Sequence, residues 1–316
     1  MPDRKKAPKT AAKKPVAKSP AAKKSADKAL QQREEAEVEA SLKEGSDSGF
    51  ALSGDEHRDV EKKSPPRAAV LHEIIRRTGQ EELKRSTAAL AWSGLAAGLT
   101  MGFSFLARGL LHREMAGLQL AYMVEGLGYT FGFLAVIIAR QQLFTENTLT
   151  AVLPVMTKPT VRNFGSLLRL WGLVLAANLV GTAVFAFGLL HLHQFDDTTQ
   201  RAFVAVGDEL MANAPLQMFT KGILAGWIIA MMVWMMAAID HARLAIIVIC
   251  TYLIALGGFT HIVVGSAEAA YMVFAGKATL GDAVLGFGLP TLAGNVVGGS
   301  LIFAMVSHAQ VRSDGE

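Results

Sequence analysis

Cysteine is almost missing from this chain: Cys250 is the only one among 316 residues. A single thiol excludes an intrachain disulfide and any multi-cysteine metal site, and it reads best as a small packed or lipid-facing hydrophobe. Charge is missing over long stretches. Between Thr87 and Ala107 there is no Asp, Glu, Lys or Arg. The apolar part also lacks any grouping of Ser, Cys, His and carboxylates. Without a nucleophile–base set or a multi-ligand metal site, neither an enzyme nor a bound cofactor is expected. His191 and His193 stand two apart with no third ligand, which fits a solvated helix end better than a metal site.

What is present divides sharply. About half of the residues (51%) are apolar, yet the isoelectric point is about 9.1. Residues 1–28 carry ten Lys/Arg against Asp3 and Asp27, and an acidic patch follows at Glu34, Glu35, Glu37 and Glu39. So much charge with so little apolar surface cannot offset the entropy of ordering. Residues 1–67 are therefore expected to be a disordered tail, too polar for a secretory signal peptide. In residues 68–86, Val70, Leu71, Ile74 and Ile75 recur at helical spacing beside Arg76, Arg77, Lys84 and Arg85. This predicts an amphipathic helix on the cytoplasmic membrane surface.

A helix crossing the hydrocarbon core needs about 20 mostly apolar residues. Six such segments are expected within residues 87–310, near 87–107, 115–139, 170–190, 222–239, 244–276 and 283–306. An even number puts both termini on one side. Lys84, Arg85, Lys158, Arg162, Arg169, Arg243 and Arg312 would share that side with the tail, against Arg108, Arg113, Arg201 and Lys277 on the other. The bias favours cytoplasmic termini and a bacterial inner-membrane protein.

The segments echo one another in order. "GLAAG" at 94–98 is paired with "GILAG" at 222–226, and "LFTENT" at 143–148 with "GFTHIV" at 258–263. "AANLVG" at 176–181 is paired with "AGNVVGG" at 293–299. One three-helix unit used twice must enter the membrane upside down the second time, an arrangement typical of transport proteins. The second and fifth segments are each interrupted, by the polar "QQLFTENT" and by Gly257–Gly258. Broken backbone at membrane depth is tolerated only where protein buries it or it lines a cavity. Asn178 and Asn295 are expected to hydrogen-bond the broken segments of their own repeats.

With "LFTENT", "GFTHIVV" and "LPTLAGNVVGGSL" in view, the chain resembles the formate/nitrite transporter family of pentameric anion channels over about residues 68–310. "KGILAGWIIAMMVW" resembles the family's fourth helix, and Pro290, Gly294, Asn295, Gly298 and Gly299 match its last-helix signature. The resemblance implies an aquaporin-like protomer with its own pore, and a homopentamer in the lipid bilayer. It implies that His261 is the central pore residue, that Leu143, Phe144 and Thr145 face it, and that Tyr129, Phe133 and Ile254 form apolar constrictions. Lys221 is the counterpart of a basic residue near the start of the fourth helix. Thr260 stands where formate channels carry an acid, and Gly226 where the family usually has a pore-facing asparagine.

Histidine suits such a path because it can be neutral or charged near pH 7. As imidazolium it would pair with a small monovalent anion; by giving up a proton it would let the conjugate weak acid cross. A buried histidine that merely joins two helices is the competing reading, and the broken-helix setting favours the pore. Glu125 shares one helix face with Tyr129 and Phe133, and either a packing role or a place in the pathway is open to it. A separate function class is a membrane tether whose tail binds anionic lipid or an acidic partner, with a vestigial pore or one for neutral solutes.

Overall fold

The computed structural model describes residues 52–239 and 241–313. The chain separates into two units, Met1–Pro65 and Pro66–Glu316. In the first, residues 1–51 lie outside the described part, and with them most of the expected disordered tail. The rest of that stretch holds a helix, α1 (Gly54–Lys63), where disorder was expected. Its cause is local. The Glu56 carboxylate accepts from the Ser53 N–H and hydroxyl, both at 2.8 Å, while the Glu56 N–H donates to Ser53 Oγ. This reciprocal capping box satisfies backbone donors at the start of the helix.

The second unit is all-helical among its described residues. It runs α2 (Ala68–Glu82), α3 (Thr87–Met115), α4 (Ala121–Ile138), the short α5 (Asn147–Thr150) and α6 (Val152–Thr157), and α7 (Val161–His191). There follow α8 (Asp197–Met211), α9 (Pro215–Ala238), α10 (Arg243–Leu256), α11 (Ile262–Phe274) and α12 (Asp282–Ser313). Polar side chains start several of them: Ser86, Thr160 and Asp196 each accept from a backbone N–H three residues on, which meets donors that a helix start leaves open. Helices α3, α4, α7, α9 and α12 are long and apolar enough to cross a membrane, whereas α10 and α11 are shorter apolar helices. The fifth expected segment is thus two half-helices joined through Gly258, whose φ of +55° suits glycine. The second expected segment ends as α4 at Ile138. Beyond it Arg140 takes a left-handed conformation (φ 53°) and the chain is irregular up to α5.

Buried irregular backbone needs partners, and two asparagines supply them in matching sets. Asn178 accepts from the Phe144 N–H at 2.9 Å and donates to Gly94 O and Gln142 O at 2.8 and 2.9 Å. Asn295 accepts from the Ile262 N–H at 2.9 Å and donates to Gly222 O and Thr260 O at 2.9 and 3.0 Å. An amide offers one acceptor and two donors, which fits this job. The match extends to close helix crossings: a Cβ on Gly98 would lie 2.2 Å from Asn178 O, and one on Gly226 2.2 Å from Asn295 O. Gly226 is therefore a packing glycine between α9 and α12, which is why a side chain does not stand there.

These bonds set Gln142 against Thr260 and Phe144 against Ile262. The pairing of Phe144–Thr145 with Phe259–Thr260, expected from their shared letters, is therefore out of register by three residues, and Leu143 is the counterpart of His261.

Helix α2 is packed differently from the single apolar face expected. Leu71, His72, Ile75 and Gly79 are buried, whereas Val70 and Ile74 are exposed. The buried set follows an i, i+4 stripe, and Gly79 allows contact so close that a Cβ would collide with Thr150 O. On the exposed side Arg76 and Arg77 both hydrogen-bond Glu73 and hold its carboxyl at about 2. The main core surrounds the irregular segments and includes Phe133, Leu143, Phe144, Ile254 and Val263. A smaller one joins α3, α8 and α11 through Phe105, Phe203 and Tyr271.

Candidate functional site: a histidine at the helix break

His261 ends the break in the fifth segment and caps α11. Its Nδ1 accepts from the Val264 N–H at 3.3 Å, and its Nε2 lies 2.7 Å from Thr145 Oγ1. Because the backbone N–H can only donate, Nδ1 must be the lone-pair nitrogen. The ring proton of a neutral imidazole then sits on Nε2 and donates to Thr145. A second ring proton would face the Val264 N–H, so protonation costs the cap. Phe133 packs edge-on against the imidazole with ring centroids 4.9 Å apart, and Tyr129 lies next to Phe133 at 5.5 Å. His261 is 1% exposed.

A cavity of about 280 Å³ reaches this ring. Its apolar wall includes Ile254 and Phe259, and its polar wall includes Tyr129, Thr260, Lys221, Arg108, Glu209 and Glu268. The Tyr122 hydroxyl lies 2.7 Å from both Ala255 O and Leu256 O at the end of α10, where Ala255 O also accepts from the Gly258 N–H. The Tyr252 hydroxyl donates back to Met123 O at 2.9 Å, tying α10 to α4 a second time. Lys221 Nζ donates to Asn213 Oδ1 at 2.6 Å, and the Thr260 hydroxyl donates to Met218 O at 2.7 Å.

Apart from Glu125 and the two asparagines, the sequence-predicted residues fall into three groups. His261, Tyr129, Ile254, Thr260 and Lys221 line the cavity. Thr145 and Phe133 touch the far side of the histidine. Leu143 and Phe144 are buried beyond it in the core, Phe144 against Trp171. Glu125 is not on the cavity wall. It is buried, with Oε1 at 3.1 Å from His112 Nδ1, close enough for an ion pair but not aligned as a hydrogen bond. Asn178 and Asn295 hold the breaks, as described above. Sequence reasoning assigned no role to Arg108, Glu209, Glu268 or Tyr122. For Glu268 there was a signal: it stands seven residues beyond His261 on one helix, hence on the same face. Among the described residues no group of three or more His, Cys, Asp or Glu side chains is placed to hold a metal.

Helices long enough for a membrane, a broken pair meeting at a histidine, and a cavity ending on its ring define a channel-like architecture. Residues 69–309 match the family model described as formate/nitrite transporter, and the chain belongs to that family. Escherichia coli (strain K12) has a relative described as inner membrane protein YfdC, 50% identical over 288 residues, which are 91% of this chain and 90% of that one. A formate-nitrite transporter of Plasmodium knowlesi (strain H) is 26% identical over 61% of this chain and 64% of its own. Among solved structures, a pentameric formate channel with formate bound aligns with a TM-score of 0.62 over 75% of this chain and 99% of that one. At 18% identity the likeness lies in the fold. An ion channel of the same family gives 0.59 at 22% identity over 77% and 96%. The family and the two structural neighbours are transporters and channels, not enzymes.

Proposed function

We propose that this chain forms a transmembrane pathway for small monovalent anions of the formate or nitrite kind, or for their conjugate weak acids, with His261 at its centre. The observation that carries the reading is His261 held by Thr145 on one side and the Val264 N–H on the other, at the end of a cavity and against Phe133. A small anion entering an apolar slit must exchange water for other donors. Thr145 Oγ1 and His261 Nε2 provide them, and the neutral ring does so without giving up its cap. Leu143, Phe144, Phe133 and Ile254, with the ring of Tyr129, are the gates to either side.

The wider arrangement follows. The chain crosses a bacterial inner membrane six times, α10 and α11 together making one crossing, in two inverted halves related by the Asn178 and Asn295 sets. Both termini are cytoplasmic. Residues 1–67 form a charged cytoplasmic tail, residues 68–86 lie along the cytoplasmic surface, and five copies assemble, as in the formate channel of like fold. Formate flux into proteoliposomes made with the full chain tests this reading. Saturable flux lost in His261→Ala supports it; a properly assembled oligomer that passes no small anion or weak acid at any pH refutes it.

A further inference from the structure

The charged wall of the cavity is unequal in a way that points to a task. Arg108 reaches two carboxylates at once: its Nη1 is 3.5 Å from Glu268 Oε1, and its Nη2 donates to Glu209 Oε2. The Glu268 side chain is 3% exposed, whereas that of Glu209 is 52% exposed. All three line the cavity that ends at His261, together with Lys221. Glu268 stands two helical turns from His261 on α11, about 10 Å along the helix axis. It is a fixed counter-ion, because leaving it unpaired at that depth would be costly. Glu209, on α8, has no such constraint, and water can replace it on Arg108. A guanidinium whose second face is held by an exchangeable carboxylate is a site for a carboxylate from solution, since its fork matches that group.

We propose that Arg108 is the first landing site for a small carboxylate anion on its way to His261, and that Glu209 is a tethered competitor which must release Arg108 before the anion lands. The idea rests on the transport reading above and adds to it a place and a barrier. With Glu209 in position, the cavity wall carries two cations, Arg108 and Lys221, and two carboxylates, Glu209 and Glu268. With Glu209 swung away, the wall as a whole carries two cations against one carboxylate, Glu268, and its net positive charge suits a monoanion. Glu125 stays off the wall beside His112 and takes no part in the exchange.

The test uses the full chain and formate, the smallest carboxylate, at low ionic strength. Binding is read in detergent by titration of carbon-13 formate, and flux is read in proteoliposomes. Glu209→Gln should lower both the dissociation constant and the half-saturation for flux about two- to fivefold, the range an exposed ion pair supports. Flux of neutral glycerol should not respond. Glu209→Cys treated with a negatively charged thiol reagent should return to the wild-type values, and a positively charged reagent should keep the affinity high. Wild type, whose Cys250 is buried, is the reagent control. Unchanged affinity in Glu209→Gln overturns the proposal, as does weaker affinity, which loss of a purely structural ion pair would produce. If wild type binds formate yet passes none, the transport reading fails, and the affinity shift still decides the role of Glu209.

Discussion

Thr145 Oγ1 and His261 Nε2 meet at 2.7 Å across 116 residues of sequence. Each belongs to an interrupted segment, and each segment is held open by its own asparagine. The histidine is thus positioned by two sets of backbone bonds that need no pore to explain them, and its partner across the gap is a hydroxyl, not a carboxylate.

Asn178→Ala and Asn295→Ala should be about equally damaging. Each strips partners from one buried N–H and two buried carbonyls, at about 1–3 kcal/mol for every group left unsatisfied. Thermal unfolding of the purified oligomer in detergent should show losses of similar size for both. A silent substitution at either position would break the equivalence of the two sets.

Gly226→Ala should destabilise by about 1–3 kcal/mol, the usual range for overpacking, because its Cβ would sit 2.2 Å from Asn295 O. Gly286→Ala, with nothing within 4 Å of the added carbon, should be neutral or slightly stabilising. Denaturation of the two variants side by side checks the contrast.

Much of this was legible in the sequence, for identifiable reasons. Apolar length exposed the long helices, and His261 stood out as an ionisable residue in an apolar run. Asn178 and Asn295 shared a spacing to glycine, which is a local feature. Arg108 and Glu209 were not legible, because their meaning lies in a contact between α3 and α8 that no local pattern records. The Phe-Thr letters paired the two breaks three residues away from the correspondence that the amide hydrogen bonds make. In α2 the four apolar residues looked like one face, and only Gly79 against Thr150 reveals which stripe is inward. The Ser53–Glu56 box was a readable start signal within a stretch whose overall charge argued for disorder.

The junction of α2 with α12 should loosen in mild acid. His72 Nε2 lies 2.9 Å from His308 Nδ1, and burial, followed by the nearby His308, holds His72 below its ordinary value. Glu73 acts in the opposite direction, and Arg76 in the same one. A histidine depressed in the folded state contributes fully above its unfolded value of about 6.5, and that contribution is lost as pH falls through the lower folded value. Hydrogen-exchange protection in residues 68–82, corrected for the intrinsic slowing of exchange in acid, should therefore fall below about pH 6.5, and His72→Gln should lessen that fall. An equal acid response in the variant would assign the effect elsewhere.

Thr145→Val should slow formate flux less than loss of the imidazole does, since it removes one donor and leaves the Val264 cap on His261. A charged acceptor's hydrogen bond is worth about 1.5–3 kcal/mol, so a fall of about ten- to hundredfold is expected. Concentration-dependent flux in proteoliposomes reads this directly.

The most direct measurement is stopped-flow formate flux across proteoliposomes holding the full chain, wild type against His261→Ala, over a pH series with glycerol as the neutral control. The account predicts saturable formate flux in wild type, and its fall by about a hundredfold or more in the variant, beyond the loss expected for Thr145→Val. Formate flux that is the same in both proteins would contradict it, by showing that the histidine at the helix break is not on the path.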